Sequence, residues 1–207
     1  MNRVQVIIPV REGGDPSITI ASLARSSFAP HVHDIMIMPD RWANANRCRN
    51  EGLIAAERMD TFSDRPMRSP KDFVVFSDDD IIWSKTGIAR LVAALDAHPE
   101  AAYSFGAYEM GGRIYCDHQF DPQALRKRNL ASTMSLIRRP LFPGFDPAIK
   151  RLQDWDLWLT MAARGHYGVH CGGAPIFSTA VRQGGITYGG SISYEEAFEV
   201  LRKKHSL

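Results

Sequence analysis

Long apolar runs are missing from this 207-residue sequence: no stretch approaches the roughly 18 residues that a membrane-crossing helix needs. The start, Val4-Gln5-Val6-Ile7-Ile8-Pro9, is too short for a signal-peptide core and has no small-residue cleavage site. A soluble, cytoplasmic chain without a transmembrane segment is therefore expected, with any membrane contact peripheral. Cysteine is scarce. Cys48, Cys116 and Cys171 are odd in number, widely spaced and without CxxC or Cys/His ligand spacing, which argues against a disulfide framework or a zinc site and fits a reducing compartment. Charge of one sign is lacking too: the formal net charge is +2, so no global field points to nucleic acid or an acidic membrane. There are no internal repeats, and 44% hydrophobic residues suffice for one core, so a single domain over residues 1–207 is expected.

What is present is an order of elements. Residues 4–10 are β-branched and stop in the turn-rich Arg11-Glu12-Gly13-Gly14-Asp15-Pro16, a buried strand leading through a loop to a helix over 17–27. A second strand over 34–38 stops at Pro39-Asp40, and a helix over 43–59 carries polar residues in its first half and one interior glycine, Gly52. Residues 61–71, rich in Ser, Pro, Asp and Arg, read as an exposed loop before a third strand over 72–77. Ser84 is the expected N-cap of a helix over 85–97, whose Ile88, Leu91, Val92 and Leu95 fall at helical spacing. This β-α-β-α-β-α order predicts an α/β fold, a mostly parallel, doubly wound sheet with helices on both faces. Beyond residue 100 the pattern changes. Residues 103–108 and 113–120 flank Gly111-Gly112 as a hairpin, 121–128 is a short basic helix, 130–138 a strand, 140–147 a loop and 154–164 a helix. Late strands over 167–171 and 175–181 follow, then a loop with glycines at 184, 185, 189 and 190 and a terminal helix over 194–204.

Three constellations carry chemistry. Asp78-Asp79-Asp80 lie just past Phe73-Val74-Val75-Phe76, where uncompensated negative charge beside a low-dielectric core is expensive. Ligands bind at the carboxyl ends of strands in an open α/β sheet, and oxygen-only ligands suit Mg²⁺ or Mn²⁺ carrying substrate phosphates. A solvated acidic turn, with Asp80 helping to cap a helix, is the plainer reading. Gln153-Asp154-Trp155-Asp156-Leu157-Trp158-Leu159 holds two carboxylates that diverge by about 200° around a helix, so only one of them faces any one substrate. That one is either a proton acceptor in a cleft or a residue that favours the helix N-terminus through the macrodipole. Asn46, Arg47, Arg49 and Asn50 place amides and guanidiniums near a helix start, which suits an anion and equally suits a solvated helix face. Asp40 is placed either to accept from a nucleobase or ribose or to make a turn.

Taken together and in order, Val6-Ile7-Ile8-Pro9-Val10, Asp40, Asn46-Arg47-Cys48-Arg49-Asn50-Glu51-Gly52, Phe76-Ser77-Asp78-Asp79-Asp80 and the segment Gln153 to Leu159 resemble the family 2 glycosyltransferases of GT-A fold, over residues 4–165. The resemblance implies a Rossmann-like domain whose residues 1–100 bind a nucleotide sugar and whose residues 101–207, with a smaller antiparallel portion, bind the acceptor. It implies a base pocket lined by Pro9, Val10, Arg11, Glu12 and Asp40, with Arg49-Asn50-Glu51-Gly52 against the nucleotide and Arg47 or Arg49 assisting at the diphosphate. It puts the DxD-type motif on Asp78, Asp79 and Asp80, with Asp80 contacting Mn²⁺ or Mg²⁺ and Asp78 contacting ribose or metal. It makes Asp154 the catalytic base of a single inverting displacement and Asp156 supportive, with Trp155 and Gly144, the latter in the Gly-Phe-Asp loop before the helix, as further substrate-site residues.

Three departures from the family pattern stand out. Gln153 replaces the usual acidic residue before the base, Thr160 stands where Arg is common, and neither the QxxRW signature of processive synthases nor the late metal-binding His is present, His170 being the available substitute. The donor expected from the resemblance is a nucleoside-diphosphate sugar, UDP most readily, and the acceptor a hydroxyl on a glycan or lipid-linked precursor. Arg126-Lys127-Arg128, Arg138-Arg139 and Lys150-Arg151 keep open a second acceptor class, a hydroxylated base in DNA, beside the plainer reading of a solvated basic face. A non-catalytic nucleotide-sugar-binding module is the reading from a different class.

Overall fold

The computed structural model describes residues 3–28, 34–60, 72–181 and 192–207. The loop expected over 61–71 and the glycine-rich segment over 184–190 lie outside the described residues. In chain order the elements of the first half are β1 (Arg3–Val10), α1 (Ser17–Ala24), β2 (Ile35–Pro39), α2 (Ala45–Asp60), β3 (Asp72–Phe76), β4 (Ile82–Trp83) and α3 (Gly87–Ala97). The second half adds β5 (Tyr103–Phe105), β6 (Tyr108–Met110), β7 (Arg113–Tyr115), α4 (Pro122–Leu125), β8 (Leu136–Arg138), a 3-10 turn (Arg139–Leu141), α5 (Gln153–Ala162), β9 (Gly168–His170), β10 (Phe177–Thr179) and α6 (Tyr194–His205).

Six strands form the central sheet in the order β2-β1-β3-β8-β5-β9. β2, β1 and β3 pair in parallel, β8 runs against both β3 and β5, and β9 is parallel to β5, so β8 alone is reversed. Period-two alternation separates the two faces. Val4, Val6 and Ile8 of β1 with Phe73 and Val75 of β3 pack against Leu23 of α1 and Ile88, Leu91 and Leu95 of α3. Ile7, Val74 and Phe76 face the other way, into a core with Leu53 of α2, Trp155 and Trp158 of α5 and Leu201 of α6. Residues 73–76 are buried on both faces, which is why they read as an unbroken apolar run; each such side chain contributes about 1.5–3 kcal/mol of burial. At Gly52 an added Cβ would stand 2.7 Å from Ile7 and from Met38, so α2 lies down on β1 and β2 at a distance that only glycine permits.

A smaller second sheet, β4-β10-β6-β7, is antiparallel except for the β10/β6 pair. The hairpin turns at Gly111-Gly112, both at positive φ, as the sequence suggests. Its first strand, however, is split: β5 stays in the central sheet and β6 crosses into the second. The strand expected over 130–138 is reduced to Leu136–Arg138, because Ser135 Oγ turns back onto Ser132 O (2.7 Å) and Trp158 holds the carbonyl of Ala131. Ser84 does not cap α3, which starts at Gly87; the chain before it pairs instead as β4 with β10, and the Ser84 N–H donates to Ile176 O.

Candidate active site

The aspartate run sits where β3 leaves the sheet. The N–H of Ser77 still bonds Ile7 O (2.9 Å), and the chain then turns. Helix α1 holds this turn through two side chains that sequence reasoning passed over. Thr19 Oγ1 donates to the carbonyl of Asp78 (3.1 Å) and accepts from the N–H of Ile81 (3.0 Å), and Ser22 Oγ accepts from the N–H of Trp83 (3.0 Å). Both are buried, three positions apart among Ile18, Ile20, Ala21 and Leu23, and that spacing of two hydroxyls in an apolar stretch is the signal that could have marked them. With the backbone fixed, the three carboxylates take different surroundings. Asp78 Oδ1 accepts from Arg49 Nη2 at 2.7 Å while its side chain stays 41% exposed. Asp79 is buried beneath the loop after β1, where a Cβ on Gly14 would fall 2.4 Å from Oδ2, and Asp80 is half-buried.

Arg49 is the buried cation that the aspartate run calls for. Only 4% exposed, it lies over the Phe145 ring at 5.3 Å, and its Nε has no hydrogen-bond partner among the described residues. The asparagines before and within the start of α2 have another task. Asn44 Nδ2 donates to Pro147 O (2.9 Å), Asn46 Nδ2 to Asp146 O (2.7 Å) and Ile149 O (3.0 Å), and Asn50 clasps Phe145 from both sides, Nδ2 to its carbonyl (2.7 Å) and Oδ1 from its N–H (2.9 Å). The polar first half of this helix is a docking strip for the loop over 144–149, and Gly144, at φ +89°, lies beside Asn50. Arg47 is exposed and stacks on Trp42 at 5.0 Å. Asp40 makes a turn: Oδ1 accepts from the N–H groups of Trp42 and Asn44, both at 3.1 Å, and its own N–H bonds Val10 O. Pro9 and Val10 end β1, and Arg11 and Glu12 are exposed in the loop that follows.

The docked loop delivers Asp154 to the first turn of α5, after Leu152 in a left-handed conformation (φ +62°). Asp154 Oδ2 accepts from Asn129 Nδ2 at 2.7 Å, and Oδ1 from the N–H of Trp155 at 2.9 Å. Burial raises its pKa above the ordinary carboxylate value against the opposing pull of those two donors and of the Arg49 charge. Asp156 faces elsewhere: 3% exposed, it pairs with Lys204 (2.9 Å) and His205 (2.8 Å) of α6. Trp155 is core, its indole N–H on Leu125 O and its ring stacked on Phe198. His170 is buried against Phe105, its Nδ1 accepts from the Gly172 N–H (3.1 Å), and burial holds its pKa below the usual imidazole value.

The structure thus brings Arg49 and Asp78 into contact and sets Asp154 within the field of the same guanidinium. Asn50, Asp156 and Trp155 are engaged in holding the scaffold. Of the basic residues beyond position 100, Arg126 bonds Ser206 O, Arg138 bonds the carbonyls of Leu95 and Ala101, Arg139 pairs with Glu57 and Arg151 lies over Tyr194. Lys127, Arg128 and Lys150 are exposed.

No family model matches the sequence, and comparison with curated proteins gives no match. Solved structures do match. TarS of S. aureus, residues 1–349 in complex with UDP-GlcNAc, superposes with a TM-score of 0.71 at 14% identity over 97% of this chain and 65% of that one. Glucosyl-3-phosphoglycerate synthase of Mycobacterium tuberculosis, in complex with Mn²⁺, UDP and glucosyl-3-phosphoglycerate, gives 0.55 at 14% identity over 100% and 81%. The chain has the GT-A glycosyltransferase fold. It spans about two thirds of the TarS segment, and within the GT-A frame Asp78 to Asp80 stand at the carboxyl end of the third central strand. No helix among the described residues is long and apolar enough to cross a membrane.

Proposed function

We propose that the chain is a metal-dependent inverting glycosyltransferase that moves a sugar from a nucleoside-diphosphate sugar, UDP most readily, to an acceptor hydroxyl on a glycan or lipid-linked precursor, in the cytoplasm. The observation that carries this reading is Arg49: a buried guanidinium with a donor to spare, bonded to the aspartate turn and acting electrostatically on a carboxylate whose pKa is raised. Both ends of a sugar transfer, an anionic leaving group and a base, meet at that cation. The UDP-GlcNAc in TarS and the UDP and Mn²⁺ in the mycobacterial synthase support the donor class.

The donor set fits a divalent cation. Asp78 and Asp80 offer hard oxygen ligands at the end of β3, the kind that one or two carboxylates supply to a divalent cation carrying substrate phosphates. Asp78 and Asp80 would hold Mn²⁺ or Mg²⁺, which would act as a Lewis acid toward the diphosphate. Arg49 adds a fixed positive charge and needs no reorganisation as the leaving group departs. Asp154 takes the proton of the acceptor hydroxyl as its oxygen attacks the anomeric carbon and the bond to the diphosphate breaks. Residues 1–100 form the donor half and 101–207 the acceptor half. Asp40, Pro9, Val10, Arg11 and Glu12 line the base pocket.

Thermal-shift screening of UDP-sugars with and without Mn²⁺ identifies the donor, because ligand binding raises stability with affinity and concentration. With that donor, Asp80→Ala and Asp154→Asn each abolish sugar transfer while the circular dichroism spectrum stays that of the parent. Full activity in either variant refutes the assignment.

A further inference from the structure

Asp154 is not oriented by its own helix alone. Its Oδ2 meets the amide of Asn129, and that amide is itself fixed: Asn129 Oδ1 accepts from the N–H of Ala131 (3.4 Å), which turns the NH₂ end toward the carboxylate. The backbone that carries Asn129 is pinned to α5 at two points. Trp155 Nε1 donates to Leu125 O at 2.7 Å and Trp158 Nε1 to Ala131 O at 2.8 Å, and both indoles are buried in the core. These tryptophans stand one and four positions after Asp154, so the helix that bears the carboxylate also sets the register of the segment that binds it.

We propose that Asn129 is the positioning residue of the base, presented to Asp154 by the Trp155 and Trp158 staple. This rests on the reading of Asp154 as the base. The chemistry favours a neutral donor here. A lysine or arginine at 2.7 Å would keep the carboxylate ionised but a poor proton acceptor, and an apolar side chain would leave burial opposed only by the Trp155 N–H and the Arg49 charge, raising the carboxyl pKa further. An amide stabilises the charged form without a full charge. The other charged or titratable groups acting on Asp154 are Arg49 from α2 and the Cys116 thiol from the chain after β7, which burial and Asp154 itself keep neutral; Lys204 and His205 of α6 are taken up by Asp156.

The experiment is a ¹³C-carboxyl NMR titration of the free protein, with the Asp154 signal assigned by its loss in Asp154→Asn. Asn129→Leu removes the donor at equal size, and the isosteric Asn129→Asp places a second carboxyl group on the first, so that the pair titrates together with its upper midpoint raised. Both raise the Asp154 midpoint. In transfer assays with the selected UDP-sugar, Asn129→Leu loses about tenfold of its rate on the acid limb of the pH profile, the size expected for one hydrogen bond to a charged group, and recovers as pH rises. An unmoved Asp154 midpoint in both variants overturns the inference. A moved midpoint together with an active Asp154→Asn overturns the base reading while leaving the contact in place.

Discussion

Replacing Asn50 by alanine separates a nucleotide contact from a scaffold contact. Both polar ends of this side chain close on Phe145, donating at 2.7 Å and accepting at 2.9 Å, and Phe145 is only 4% exposed. Alanine strands one backbone N–H and one C=O. A buried polar group left without its partner costs about 1–3 kcal/mol. Because Asn50 itself is half-buried and water can enter the space it leaves, the lower part of that range applies to each group, about 2–4 kcal/mol together. For a chain of this size 1 kcal/mol moves Tm by about 2–4 °C, so the variant melts about 4–16 °C lower. Urea unfolding should show a lower midpoint at an unchanged m-value. UDP affinity, measured below the transition with Mn²⁺ present, should stay within about threefold of the parent, since the side chain's position is set by its two bonds to Phe145 rather than by the nucleotide. A variant that melts within a degree of the parent but loses UDP binding tenfold would refute this reasoning and return Asn50 to the nucleotide.

Two further expectations use Asp154. Its folded-state pKa is raised above the unfolded value, so between the two the folded protein holds the extra proton and stability falls as pH climbs; the cost is complete above the folded pKa and absent below the unfolded one, about 1.4 kcal/mol for each unit of separation. Asp154→Asn should therefore be more stable than the parent in urea at pH 7, with the difference closing near pH 4, and a less stable variant at pH 7 would contradict the burial assigned to this carboxylate. Burial first, and then the negative charge of Asp154, push the Cys116 thiol up to about 12, so at pH 8 its alkylation in the folded protein is slow. Asp154→Asn should accelerate it, and an unchanged rate would place the two groups further apart than the structure does.

Much of the fold was legible because its signals are local. The two-residue period of β1 and the unbroken apolar run of β3 mark half-buried and fully buried strands, and Gly111-Gly112 marks a hairpin, with no knowledge of distant partners. The resemblance to GT-A enzymes rested on motif order, and the fold agrees with it. Less legible were β4, two residues long and defined only by pairing with β10 about 95 positions on, and the irregular course before β8, dictated by an indole on α5.

Within the site the division is the same. The sequence by itself determined that carboxylates would end a buried strand, that a compensating cation was needed, and that Asp154 and Asp156, two positions apart on a helix, would face different ways. Only the tertiary structure decided which way each turned. Asn50 and Asn46 find their partners 95 to 103 residues away, Arg49 reaches Asp78 across 29, and Asn129 reaches Asp154 across 25. An amide or a guanidinium has the same hydrogen-bonding capacity wherever it stands, so its type announces that it will bond, and only the packing of strands and helices fixes the group that comes within 3 Å of it.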